Sequence, residues 1–210
     1  MTRAAPGLAF WDDGRRPAPP RRRTDNAIKN RWNSAQRKLQ HSMARAQWEA
    51  VAAVKRIAKE KKIGGLHGML IELFEVDPKF FTAVEVAGGG SLFHVVVDTD
   101  ETAATLLQEL QNANAGRVTF MPLNRLRPGK DPEYPDSADA FPIVARLKYE
   151  KHLHPAFASV FRKCLIVRSL EVGSRFSRSH DLDAITLEGD VVNRKGAVTG
   201  GYHETGKSRL

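Results

Sequence analysis

The sequence predicts a mixed α/β (α+β) domain of two lobes, preceded by an amphipathic helix and a basic tail. Three observations lead there. From residue 63 onward, short β-prone runs alternate with helical stretches. A segment carrying Pro128, Pro132 and Pro135 splits them into two groups. The chain then closes on Ile185-Thr186-Leu187, Val191-Val192 and Ala197-Val198-Thr199, punctuated by Gly189, Gly196, Gly200 and Gly201. With 41% hydrophobic residues there is ample material for a core.

Residues 1–23 are rich in Arg and Pro, including Arg21-Arg22-Arg23, and too poor in apolar side chains to offset ordering entropy. Disorder is expected there, and the basic cluster reads either as an import signal or as a solvated tail. Thr24 or Asp25 can cap a helix over residues 24–38. Over residues 39–62, Leu39, Met43, Ala46, Ala50, Val54 and Ile57 fall mostly three or four apart, an amphipathic spacing. That helix is either the end of a coiled coil or a helix folded onto the domain.

The alternating part begins at 63. Leu70 to Phe74 reads as a strand. Asp77-Pro78 opens a helix to about Ala87, with proline near the first position, and Gly88-Gly89-Gly90 ends it. Leu92 to Val97 is nearly continuously apolar, as in a strand covered on both faces. A helix starts at Asp98 to Glu101 and runs through Leu106, Leu107 and Leu110; Gly116 to Met121 is another strand. Residues 123–138 form a loop between the lobes. Helices are expected near 139–148 and 155–162, a strand at 163–168 and a helix at 170–180, before the glycine-rich strands.

Charge is unevenly placed. Residues 1–62 hold 16 Lys+Arg against 5 Asp+Glu, a net of +11, and residues 63–210 hold 17 against 19, a net of −2. Any attraction to nucleic acid therefore belongs to the N-terminal arm and not to the main domain. Cys164 stands alone in an apolar run, which excludes an internal disulfide and fits a reducing compartment. No apolar run reaches the roughly 18 residues of a membrane span, and the first 30 residues lack a signal-peptide core.

Several patterns suggest chemistry and fall short of it. Gly201 to Ser208 satisfies the phosphate-loop spacing, with Gly201, Gly206, Lys207 and Ser208 at the required places. Such a loop needs a helix behind it, and only Arg209 and Leu210 follow, so coincidence is the expected reading and no cofactor is assigned. His152 and His154 flank Leu153 without a further ligand at metal spacing. Ser159, Ser174 and Ser177 lack a nucleophile-elbow pattern. Glu188 and Asp190 flank Gly189, a carboxylate pair common at strand ends. No catalytic constellation emerges, and no enzyme activity is expected of this chain.

Glycines inside a strand pattern mark bulges, tight bends or the close approach of another backbone. Their spacing here, Gly-x6-Gly-x3-Gly-Gly over residues 189–201, resembles the signature that ends the hinge domain of SMC (structural maintenance of chromosomes) proteins. Ile63-Gly64-Gly65-Leu66-His67-Gly68-Met69-Leu70-Ile71-Glu72-Leu73 resembles that domain's opening. Lys79 to Val86, Gly116 to Asn124 and Lys195 to Tyr202 look most like cohesin's third SMC subunit. The resemblance implies a hinge over residues 63–205, with 206–210 starting the exit segment and 39–62 ending a coiled-coil arm. It implies a nuclear, chromosomal protein that dimerises with another SMC hinge, a heterodimer being expected and a homodimer the alternative. ATP is bound by head domains elsewhere in full-length relatives. The residues expected at the interface are Gly189, Gly196, Gly200 and Gly201 for backbone approach, with Val198 and Tyr202 beside them.

Residues 24–38 bear a separate likeness, to the recognition helix of a Myb repeat. There Lys29, Asn30, Asn33 and Ser34 would face DNA, with Trp32 packed behind. Only that helix is represented, and a lone helix this short is marginal in water. Weak, non-specific phosphate attraction is the expectation for the arm.

Overall fold

The computed structural model describes Ser34 and residues 45–201. It is a mixed helix-and-sheet fold whose second half repeats the first. The first half runs β1 (Leu66–Met69), a 3-10 turn (Leu70–Leu73), β2 (Phe74–Glu75), a 3-10 turn (Pro78–Phe80) and α2 (Phe81–Gly88). It continues through a 3-10 helix (Gly89–Phe93) without counterpart in the second half, then β3 (Val95–Val97), α3 (Asp100–Asn112) and β4 (Phe120–Pro122). The second half follows the same order: β5 (Ala140–Pro142), a 3-10 turn (Ile143–Arg146), β6 (Lys148–Tyr149), a 3-10 turn (Lys151–Leu153) and α4 (His154–Phe161). Then come β7 (Cys164–Val167), α5 (Leu170–His180) and β8 (Asp183–Ile185). Only the second half goes on, into a hairpin of β9 (Val191–Val192) and β10 (Val198–Thr199). Ahead of both lies α1 (Arg45–Glu60).

Pairing obeys the same repeat. β3 and β4 are parallel across the α3 crossover, and β7 and β8 are parallel across α5. β1 runs antiparallel to β3, and β5 to β7. The first sheet has the order β1-β3-β4 and the second β10-β9-β8-β7-β5. The halves are joined by the antiparallel ladder β2–β6, with Phe74 opposite Tyr149 and Glu75 opposite Lys148.

Local chemistry explains where the helices begin. Thr99 precedes α3 and accepts the Thr102 N–H at 3.2 Å; Ser169 precedes α5 and accepts the Val172 N–H at 3.3 Å. Each satisfies an amide that the helix leaves unpaired. α5 ends at Asp181, in the left-handed region with φ 53°, and Lys163 holds its carboxylate. That hydrogen bond, then residual burial opposing it and the Lys163 and Arg194 charges, sets the Asp181 carboxyl below its ordinary value.

The core lies along the junction of the halves. Phe74 meets Phe157 edge-on at 5.6 Å, and Tyr149 stacks on Phe157 at 4.1 Å. Phe80 of the first half meets Phe141 of the second at 5.7 Å. Aromatic pairs of this kind add to the free energy of area burial. Helix α1 is folded onto the first half, burying Ala50, Val51, Val54, Ile57 and Ala58 in the main core. Gly116, at φ +92°, lets it lie close: a Cβ there would sit 3.1 Å from that of Ala50. Lys55 pairs with Glu72 at 2.7 Å, and Lys61 with Glu109 at 2.5 Å.

Four segments differ from the sequence-based expectation. Residues 139–148 hold β5, a 3-10 turn and β6 in place of a helix. Pro142 cannot continue a helical ladder, and β7 takes up residues 140–142 as its outer neighbour. Leu70–Leu73 is a 3-10 turn before a two-residue strand, closed by Glu72, whose carboxylate accepts the Met69 N–H at 2.9 Å. The apolar run Leu92–Val97 is extended only at Val95–Val97, because Gly89–Phe93 coils into a 3-10 helix. The strand sought at 116–121 is confined to Phe120–Pro122. Between the lobes, the Tyr134 hydroxyl donates to the Arg162 carbonyl at 2.8 Å, tying the proline-rich loop to the end of α4. Burial, and next the Asp131 charge, push that phenol up to about 12.

Candidate dimerisation interface

The glycine-rich end is built outward from β8. After Ile185 the chain reverses in a tight turn in which the Thr186 N–H donates to the Asp190 carbonyl at 2.8 Å. The Asp190 N–H donates to the Thr186 hydroxyl at 3.1 Å. Gly189 takes φ +97° in this turn, a conformation that favours glycine. β9 then pairs with β8, and the chain reverses again through residues 193–197. There the Asn193 N–H donates to Ala197 O at 2.8 Å and the Gly196 N–H to Asn193 O at 2.7 Å. Gly196 takes φ +95°. Both Gly189 and Gly196 therefore have a turn to make within the chain itself.

β10 is the edge of the five-stranded sheet. Ala197 O points into β9 and Thr199 lies opposite Val191, so by alternation Val198 and Gly200 turn their N–H and C=O groups outward. Val198 is 59% exposed, the more exposed of two exposed large apolar residues among the described residues. At the end of the strand the Gly201 N–H donates to Asp190 Oδ1 at 3.1 Å. A Cβ on Gly200 would lie 2.6 Å from that same oxygen, whereas Cβ atoms on Gly196 and Gly201 would meet nothing within 4 Å.

The hairpin stands on α5. A Cβ on Gly173 would lie 3.1 Å from the Cβ of Ala184 and 3.4 Å from Val192 Cγ2, so its absence lets helix and sheet pack closely. The buried Ser177 hydroxyl lies 2.8 Å from Gly173 O and 3.2 Å from Val192 O. Asp190, Gly173 and Ser177 were not singled out as interface supports. The turn signal Leu-Glu-Gly-Asp around Gly189 was legible, but the return of β10 to Asp190 was not.

The other patterns come apart in space. His152 turns to His67, with ring centroids 5.1 Å apart, and His154 turns to Tyr149, whose hydroxyl is 2.9 Å from its Nδ1. No group of three or more His, Cys, Asp or Glu among the described residues could hold a metal ion. The Cys164 thiol is buried against Val160 O, and burial, then Asp183, push it up to about 12. It is inert as a nucleophile at neutral pH. No helix among the described residues is long and apolar enough to cross a membrane. Ser34 is helical and exposed, while Lys29, Asn30, Asn33, Tyr202, Gly206, Lys207 and Ser208 lie outside the described residues.

The chain matches the family described as SMC proteins Flexible Hinge Domain over residues 63–177. It belongs to the SMC hinge family. The hinge is 46% identical over 181 residues to the Emericella nidulans chromosome segregation protein sudA, covering 86% of this chain and 15% of that one. It is 40% identical over 176 residues to structural maintenance of chromosomes protein 3 of Saccharomyces cerevisiae, covering 81% and 14%. A Cryptococcus neoformans protein named urease accessory protein 2 is 46% identical over 182 residues, covering 87% and 15%. The chain thus spans about one seventh of the length of these relatives. Among solved structures, the folded elbow of cohesin superposes with a TM-score of 0.72 at 38% identity, covering 86% of this chain and 26% of that one. The Pyrococcus furiosus SMC hinge superposes with a TM-score of 0.64 at 29% identity, covering 83% and 89%. The Myb-like and phosphate-loop readings rest on residues outside both the family match and, Ser34 and Gly201 excepted, the described residues.

Proposed function

We propose that this hinge is the dimerisation module of a cohesin-type SMC subunit. In that role it joins another SMC hinge and so contributes to chromosome organisation and sister chromatid cohesion. Its placement is nuclear and chromosomal, and it is not an enzyme in itself. The observation that carries the reading is the edge of β10, where the outward N–H and C=O groups of Val198 and Gly200 flank an exposed apolar side chain. Such an edge is a template for another strand.

The internal repeat suggests where that strand would go. β4 holds in the first sheet the place that β8 holds in the second. In the second sheet β9 and β10 cover the edge of β8, and no described strand covers β4. Thr119 O and the Leu123 N–H point into β3, so the Phe120 N–H and C=O face the uncovered side. If β10 of each copy adds to β4 of the other, the two junctions are equivalent and the dimer closes on itself.

Sedimentation velocity tests this on the chain alone and mixed with the hinge of cohesin's other SMC subunit. A one-to-one complex is expected in the mixture, or a homodimer in its absence. A chain that stays monomeric with every SMC hinge at tens of micromolar would overturn the reading.

A further inference from the structure

Resting on that reading, we propose that Asp190 is the positioning residue of the β10 edge. Its carboxylate supplies the hydrogen-bond acceptor that β9 has no backbone left to offer, and so holds Gly200 with its amide facing outward.

The geometry is specific. Thr199 is the last residue of β10 with a partner in β9, opposite Val191. Two residues on, the Gly201 N–H again points toward β9, but the chain opposite has already turned away at Gly189. The amide would face nothing in the ladder. Asp190 Oδ1 takes it instead, at 3.1 Å. The carboxylate is well anchored, because the backbone of Asp190 is held on both sides by Thr186: its carbonyl accepts the Thr186 N–H and its N–H donates to the Thr186 hydroxyl. Thr186 itself is only 3% exposed, so this base does not move freely. One rung is thereby added to β10 beyond the end of β9.

The same oxygen accounts for the glycine beside it. A Cβ at position 200 would lie 2.6 Å from Oδ1 and 3.2 Å from Cγ. Any residue other than glycine must push the carboxylate away, and with it the bond to Gly201. Gly200 thus leaves the Asp190 carboxylate its place before any partner arrives. That distinguishes it from Gly196, where a Cβ meets open space. Asp190 and Gly200 form one unit, and substitutions in the two should not add.

The experiment uses the full chain in four variants: Asp190→Ala, Asp190→Asn, Gly200→Ala and the double Asp190→Ala/Gly200→Ala. Three readouts are taken: affinity for the partner hinge, the melting temperature of the unpaired chain, and amide hydrogen exchange of Thr199 and Gly201. In a pair with a different hinge only one junction carries the substitution, and losing one hydrogen bond, typically about 1 kcal/mol, corresponds to about fivefold in affinity; a homodimer, with it at both, would lose about thirtyfold. Asp190→Ala and Gly200→Ala are each expected to weaken pairing by about that factor, with melting shifted by only about 2–4 °C. Asp190→Asn keeps an acceptor at Oδ1 and should stay within about twofold of wild type. The double variant should be no weaker than Asp190→Ala alone. Equal loss from Gly200→Ala with or without the carboxylate would overturn the proposal, as would wild-type pairing by Asp190→Ala. If no hinge pairs with the wild-type chain, the functional reading falls, and amide exchange in the monomer decides the role of Asp190. Faster exchange of Gly201 in Asp190→Ala but not in Asp190→Asn upholds it, and unchanged exchange defeats it.

Discussion

Val198 offers a direct way to separate pairing from folding. The residue keeps 59% of its surface exposed, so the monomer gains little from it. Fully burying a valine is worth about 1.5–3 kcal/mol, which puts covering the exposed part at about 1–2 kcal/mol per junction. Truncation to alanine removes about half of that, about 0.5–1 kcal/mol, or about two- to fivefold in Kd, at each junction that carries it. A pair with a different hinge carries the substitution at one junction only and loses about two- to fivefold, whereas a homodimer carries it at both and loses about five- to thirtyfold. Lysine at the same place should do more, since it brings a charge to the middle of the pairing edge, the device by which free edges are kept from pairing. The folded monomer should hardly respond, because exposed substitutions typically stay within about 0.5 kcal/mol, or roughly 2 °C in melting for a domain of this size. The assay is a titration by light scattering or sedimentation, with melts taken on the unpaired chain so that binding does not raise the transition. Val198→Ala pairing as tightly as wild type, with Val198→Lys doing the same, would refute the β10 edge as the interface. Equal losses in melting and in pairing would show that Val198 belongs to the fold.

Three further outcomes are expected. Gly173→Val should lower the melting temperature of the unpaired chain by about 4–10 °C, since overpacking typically costs about 1–3 kcal/mol and a Cβ there already meets Ala184 at 3.1 Å; an unchanged melt would show that helix α5 shifts without cost. Burial holds the His94 imidazole below its ordinary value of 6.5, so the unfolded chain takes up that proton first. Stability should be full above about pH 6.5 and fall as pH drops through the window below it, and His94→Gln should flatten that fall in urea titrations. DNA binding, measured by fluorescence anisotropy, should be non-specific, fall steeply with salt and vanish when residues 1–44, which precede the packed helix α1, are removed, because they carry 10 Lys+Arg against 3 Asp+Glu, a net of +7; binding that survives the deletion would place it on the hinge.

Most of the helices could be read from local signals, because their causes are local. Thr99 and Ser169 accept amides three residues on, and Asp77-Pro78 opens its turn with the Lys79 N–H on the Asp77 carboxylate at 3.1 Å. What escaped depended on distant partners. Residues 139–148 include Ala145, Arg146, Leu147 and Lys148, which suit a helix, yet Pro142 and the pairing of Ala140 with Val167 and Phe141 with Ile166 decide their shape. The internal repeat was hidden because it is kept by pattern and not by residue: Phe74-Glu75 corresponds to Lys148-Tyr149 only through the ladder that joins them. Asp190 read as one of two carboxylates beside a glycine until β10 came back to it eleven residues later.

The glycine spacing now has a physical content that a sequence motif lacks. It admits two explanations, turns within the chain or room for a partner's backbone, and the structure divides the four positions between causes. Gly189 and Gly196 have positive φ in turns closed by hydrogen bonds of their own. Gly200 yields its Cβ space to Asp190, and Gly201, at φ +143°, gives its amide to the same carboxylate. Each glycine thus serves the delivery of one short strand with its outer edge bare. The two explanations are consecutive and not rival: the turns and the Asp190 bond make the edge, and on the proposed reading that edge receives the partner. Replacing Gly200 and Gly201 by valine is expected to disturb the first step and, through it, the second, so a loss of pairing there would not separate the two. Only the outward residue between them and the hairpin turn, Val198, reports on the second step alone.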